Sequence, residues 1–178
     1  MLTPRQPVPD LKVETLNHGT FDLQAQKPKF ATIVVFYRGL HCPICATYLK
    51  ELQRLLPDFA ERGIEAVAIS SDTKERAQDF AERAELKELR LGYGLSLADA
   101  RKWGLYISTS RGETSIGVIE PDLFSEPGVF IVKPDNTLYF ASVQTMPFSR
   151  PVFKDMLPAL DFVQKVDYPA RGEYTGAV

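Results

Sequence analysis

Cysteine, histidine and tryptophan are scarce in this chain: its 178 residues include two, two and one of them. Charge of one sign is scarce as well, with 21 Lys and Arg against 23 Asp and Glu. Two cysteines in so long a chain exclude a small disulfide-stapled scaffold. The near-neutral balance excludes the strong electrostatic footprint of a nucleic-acid binder, and the basic patch that an anionic membrane attracts. A hydrophobic content of 44% excludes a globally disordered chain. The longest apolar run, 31–37, is far too short to cross a bilayer. The N-terminal stretch carries Pro4, Pro7 and Pro9 and no apolar segment, so it does not read as a secretory signal. These absences predict a cytoplasmic, reducing location, where a close cysteine pair points to catalysis or metal binding rather than a permanent bridge.

The residues that are present predict an α/β chain. Short runs at 11–16 and 20–23 flank the turn signal Asn17-His18-Gly19 and predict an N-terminal hairpin. Residues 32–37 form a continuous β-branched apolar run, the pattern of a strand buried on both faces. Ile44, Tyr48, Leu49, Leu52, Leu55, Leu56 and Phe59 then recur at helical spacing, with Pro57 expected to kink or shorten the helix. A second strand is predicted over 64–70. Asp72-x-x-Glu75 follows as a capping box for a helix reaching about residue 85. A third strand at 89–94, a short helix from Ser96 to Gly104, and a hairpin of 129–133 and 138–143 around Pro134-Asp135-Asn136-Thr137 come next. Val152, Met156, Leu160 and Val163 predict a last amphipathic helix, started near Ser149-Arg150-Pro151 and disturbed by Pro158. No repeat or linker divides the chain. The expectation is one domain over 1–178, with a core of about 10–165, an irregular tail at 166–178 and a central mixed sheet flanked by helices. The 106–124 segment has no clear period and suggests a loop over the site.

Both cysteines fall in one tetrapeptide, Cys42-Pro43-Ile44-Cys45, placed after a buried strand and at the start of a helix. Unpaired N–H groups and the helix dipole favour an anion there, here a thiolate. A thiol in such a position loses its proton well below the free value of ~8.5. Attack by one thiolate and resolution by the other is the corresponding dithiol/disulfide cycle. Arg38 and His41 stand close enough in sequence to add positive charge. A zinc site would need four ligands; beyond the two cysteines only His18, His41 and carboxylates are available, and there is no second CxxC. Haem attachment would need histidine directly after Cys45, where Ala46 stands. No cofactor is implied. The alternatives that stay open are a redox-inactive binding or regulatory module and a CxxC-based zinc site.

The stretch Val34-Val35-Phe36-Tyr37-Arg38-Gly39-Leu40-His41-Cys42-Pro43-Ile44-Cys45 resembles the active-site segment of thioredoxin-fold proteins. It is most similar to the peroxiredoxin-like proteins of the alkyl hydroperoxide reductase/thiol-specific antioxidant group, with His41 where tryptophan is usual. The resemblance extends over the N-terminal hairpin, the 66–72 strand and Glu126-Pro127-Gly128-Val129-Phe130-Ile131-Val132. It implies a thioredoxin-like fold and a thiol-dependent oxidoreductase, with Cys42 and Cys45 catalytic, Pro43 opening the helix and Pro127 a cis-proline facing the pair. The peroxiredoxin motif laid on the chain puts Arg38 at its proline, Cys42 at its threonine and Cys45 at its attacking cysteine. That family's activating arginine then falls on Pro127. A thioredoxin alignment makes Cys42 the nucleophile and Cys45 its resolver, with Val35 where a buried acid is frequent. The implied partners are a peroxide or protein disulfide as substrate, an external thioredoxin- or glutathione-type reductant and a second copy in a homodimer.

Overall fold

The structure is a computed structural model and describes residues 2–178. The N-terminal hairpin forms as predicted, from β1 (Lys12–Thr15) and β2 (Thr20–Asp22). β3 (Ala31–Phe36) leads into helix α1 (Pro43–Glu61), and β4 (Ile64–Ile69) into α2 (Lys74–Arg83). β5 (Leu91–Tyr93), α3 (Leu97–Lys102), β6 (Ile107–Thr109) and β7 (Leu123–Ser125) follow. The chain closes with β8 (Gly128–Val132), β9 (Leu138–Val143) and α4 (Phe153–Val166).

Seven strands make one mixed sheet in the order β2-β1-β5-β4-β3-β8-β9, and β6 with β7 makes a separate antiparallel pair. β3 lies parallel to β4 and antiparallel to β8, and every one of its residues is buried. Its period-two alternation feeds two cores. Ile33 and Val35 belong to one with Leu49, Leu52 and Phe59 of α1, and Phe153 and Leu160 of α4. Val34 and Phe36 belong to the other with Val67, Ile69 and Trp103. Each such aliphatic or aromatic side chain contributes about 1.5–3 kcal/mol of burial, which is why an unbroken apolar run was legible as an interior strand.

Several local expectations change. α1 runs on through Pro57, and α4 through Pro158. A lost helix bond is offset by packing on both sides of it: Leu55 and Phe59 are buried around Pro57, and Phe153 and Leu160 around Pro158. α2 is capped by Thr73, whose side chain accepts from the Arg76 N–H, and not by Asp72. The 106–124 segment is not a plain loop, since β6 lies within it and pairs with β7, which runs on to Ser125. α4 begins at Phe153, later than predicted, with Val152 as its N-cap. Among the described residues no helix is long and apolar enough to cross a membrane.

Candidate active site

The site is built at the carboxyl ends of the parallel strands β3 and β4, where open α/β sheets leave a crevice. Between β3 and α1 the chain turns through Gly39, whose φ of +130° disfavours any side chain. A Cβ at this position would also collide with the carboxylate of Asp72. That carboxylate, buried just after β4, accepts from the Leu40 N–H at 2.7 Å and from Arg76 Nε at 2.9 Å. The cysteine loop is thereby tied to the start of α2. The Cys42 N–H in turn donates to Gly39 O at 3.1 Å.

Cys42 is the N-cap of α1, and Pro43 is exposed in the first turn, where a missing N–H costs nothing. The Cys45 N–H donates to Cys42 Sγ at 3.3 Å. Both thiols are free, with Cys42 3% and Cys45 0% exposed. Arg150, from the 144–152 loop between β9 and α4, reaches over them. Its Nη2 donates to Cys45 Sγ at 3.2 Å and to Cys42 Sγ at 3.7 Å. Its Nε donates to Pro147 O, and its Nη1 is a buried donor without a protein partner.

These contacts divide the two sulfurs. A hydrogen bond from the Cys45 thiol, helped by the Arg150 charge and the Cys45 amide, outweighs burial and holds Cys42 down at about 6. Burial pushes Cys45 up, and the adjacent Cys42 charge pushes it further. Arg150 lies nearer to Cys45, yet the charge belongs on Cys42. Cys45 has no solvent contact at all, whereas Cys42 has the helix N-terminus as well as the guanidinium.

Arg38 and His41 are placed elsewhere. Arg38 pairs with Glu120 at 3.6 Å and Glu126 at 3.3 Å, and its Cζ lies 4.7 Å from the centre of the Phe124 ring. Ser108 Oγ donates to Glu126 at 2.6 Å. His41 packs against the same Phe124 ring with centroids 4.5 Å apart, and burial lowers it to about 4, so it is neutral at physiological pH. Both residues thus join the cysteine loop to β6 and β7, while the charge beside the sulfurs comes from Arg150.

Pro127 departs from its expectation. The Glu126–Pro127 peptide bond is trans, as is every peptide bond among the described residues. The register Phe36↔Gly128 sets Pro127 beside the end of β3, and its carbonyl accepts from the Gln144 N–H at 3.0 Å. The Glu126 N–H meets Tyr106 O at 2.8 Å. No tight turn calls for the higher-energy isomer, which lies about 0.5–1 kcal/mol above trans for an X–Pro bond.

Sequence reasoning missed Asp72 as a loop anchor and Arg150 altogether. An aspartate three residues after the apolar run that ends at Ile69 was a usable signal for the first. Nothing local marks the second, because Arg150 stands 105 residues from Cys45. Among the described residues no group of three or more His, Cys, Asp and Glu side chains is arranged to hold a metal ion, so the two sulfurs have no ligand set around them.

A model of the AhpC/TSA family matches residues 4–141. No curated protein matches the chain significantly. Solved structures with a similar fold include a cysteine mutant of peroxiredoxin 6 of Arenicola marina (TM-score 0.72, 20% identity, 94% of this chain and 76% of that one). The 2-Cys peroxiredoxin of Plasmodium vivax is also similar, with TM-score 0.74, 16% identity, and 94% and 84% of the two chains covered. A third is the peroxidoxin BcpB of Mycobacterium tuberculosis, with TM-score 0.69, 20% identity, and 92% and 99% covered. At such identities the likeness speaks for the thioredoxin-like fold, and the family match covers most of the sequence. The chain belongs to the AhpC/TSA family of thiol-dependent oxidoreductases.

Proposed function

We propose that the chain is a thiol peroxidase in which Cys42 attacks a small peroxide and Cys45 resolves the product. The observation that carries this reading is the pairing of an acidic, N-capping Cys42 with a guanidinium that retains an unpartnered donor, Arg150 Nη1. That donor is available to the peroxide oxygen that takes up charge as the O–O bond breaks. A Cys42 only 3% exposed favours a small substrate over a protein disulfide, which would need an accessible sulfur. Arg150 thus takes the part that the resemblance had left vacant at Pro127.

In the first step the Cys42 thiolate forms a bond to the terminal peroxide oxygen. The O–O bond breaks, and the alkoxide or hydroxide leaves and takes a proton from solvent. Cys42 is then a sulfenic acid. In the second, Cys45 gives up its thiol proton and bonds to Cys42 Sγ, and the sulfenic oxygen departs as water. An external dithiol of thioredoxin type, or two glutathione-type thiols, returns the disulfide to the dithiol. A reducing compartment such as the cytoplasm supplies them.

Single-turnover peroxide consumption by Cys42→Ser and Cys45→Ser variants tests the assignment. Loss in Cys42→Ser, with Cys45→Ser still consuming one equivalent and accumulating a dimedone-reactive sulfenic acid, supports it. The reverse pattern reassigns the attack to Cys45. Full activity in both variants removes the redox reading.

A further inference from the structure

Tyr48 lies three residues beyond Cys45 on α1, so it shares a helix face with that sulfur. Periodicity alone assigns it to the apolar face of α1, a packing role that phenylalanine would fill equally well. Its surroundings ask for more. The Arg150 Cζ lies 5.1 Å from the centre of its ring, within cation–π range. Its hydroxyl donates to Pro151 O at 2.6 Å, a bond to the residue directly after Arg150. The same ring stacks on Phe153, the first residue of α4, with centroids 4.2 Å apart and planes at 27°. One side chain from the cysteine-bearing helix therefore holds the guanidinium, the following carbonyl and the next helix together.

We propose that Tyr48 is a positioning residue that fixes Arg150 against Cys42 and Cys45. The inference rests on the reading of Cys42 as the attacking thiolate. Among the described residues no carboxylate pairs with Arg150. Its Nε reaches a carbonyl of its own loop, its Nη2 reaches the two sulfurs, and its Nη1 has no partner. Beside the sulfurs, the Tyr48 ring and the Pro151 clamp join this arginine and its loop to α1. The exposed Met146 and Phe148 on the same loop give it no packing of their own. Without Tyr48 the guanidinium would be free to swing towards water and leave the sulfurs.

The test is the pH profile of Cys42 alkylation by iodoacetamide in reduced wild-type protein and in Tyr48→Phe, Tyr48→Leu, Arg150→Met and Tyr48→Leu/Arg150→Met. No peroxide is involved, so the outcome is independent of the peroxidase assay. The expected result is an alkylation midpoint raised by about one unit in Tyr48→Leu and by less in Tyr48→Phe, which keeps the ring. The double variant should titrate like Arg150→Met alone, since a residue acting only through Arg150 adds nothing once that residue is gone. Unchanged midpoints in both Tyr48 variants overturn the proposal, as does a double variant whose shift is the sum of the two singles. Tyr48→Phe retains the packing volume, so it remains informative if Tyr48→Leu folds poorly. An acidic wild-type Cys42 without peroxide turnover would remove the proposed activity and leave Tyr48's role standing, whereas an ordinary wild-type midpoint would remove both.

Discussion

The Asp72 carboxylate accepts a 2.7 Å hydrogen bond from the Leu40 backbone N–H, across 32 residues of sequence. Its other oxygen meets Arg76 at 2.9 Å, so one buried side chain sets the approach of the chain to Cys42 from the far side of β4. The cysteine loop is thus held in part by the end of a neighbouring strand.

Asp72→Ala should leave the Leu40 N–H buried without an acceptor, at a cost of about 1–3 kcal/mol. The urea midpoint should fall with the slope unchanged. Gly39→Ala should be at least as damaging, because its φ of +130° and the adjacent carboxylate both oppose a Cβ. A Gly39→Ala protein as stable as the parent would contradict the geometry of this turn.

Reaction of Cys42 should depend on pH in a definite direction. Only the thiolate reacts, and Cys42 is held down at about 6, so the rate should be flat above that value and fall below it. One unit below the midpoint, the rate should be about tenfold under its plateau. A thiol left at ~8.5 would instead go on gaining reactivity well above neutrality. Stopped-flow peroxide consumption across pH separates the two.

Arg150→Met should slow peroxide consumption at neutral pH by about tenfold or more. The variant loses both the charge beside Cys42 and the free donor. Arg150→Lys should recover part of the rate, since an ammonium keeps the charge without the planar fork. Equal rates for Met and Lys would show that the charge is irrelevant.

Arg38→Met should behave differently. It leaves Glu120 and Glu126, both buried, without their cation, and breaking a buried pair costs about 3–5 kcal/mol. Thermal unfolding should therefore shift strongly downwards while the Cys42 alkylation midpoint stays in place. A large change in that midpoint would return Arg38 to the role of tuning the thiolate.

What was legible in the sequence follows from how local its cause is. The 31–61 region was readable because an uninterrupted β-branched run, then apolar residues at helical spacing, encode burial directly in order. The cap of α2 was misplaced by one residue because Asp72 satisfies a backbone N–H from another element, leaving Thr73 to cap the helix. β6 and β7 were hidden because each is only three residues long, too short to show a period, although Phe124 and Ser125 are buried. What holds them comes from distant segments: His41 against the Phe124 ring, Arg38 with Glu120 and Glu126, and Arg76 Nη2 to Ile119 O at 3.3 Å. Arg150 was illegible for a related reason. Beside Pro151 it reads as a helix start, and only the return of the chain from β9 brings it onto the sulfurs.

Every polar contact described at Cys42 favours a charged sulfur: the Cys45 thiol and amide, the Arg150 guanidinium and the first turn of α1. A bridge to Cys45 carries no charge for these groups to stabilise. Under the proposed cycle the dithiol is therefore the electrostatically preferred form, and the couple should lie towards the oxidising end of the thiol–disulfide scale. Electrons from an ordinary cellular thiol would then run downhill into the bridge, and the arrangement that sharpens attack also eases the return.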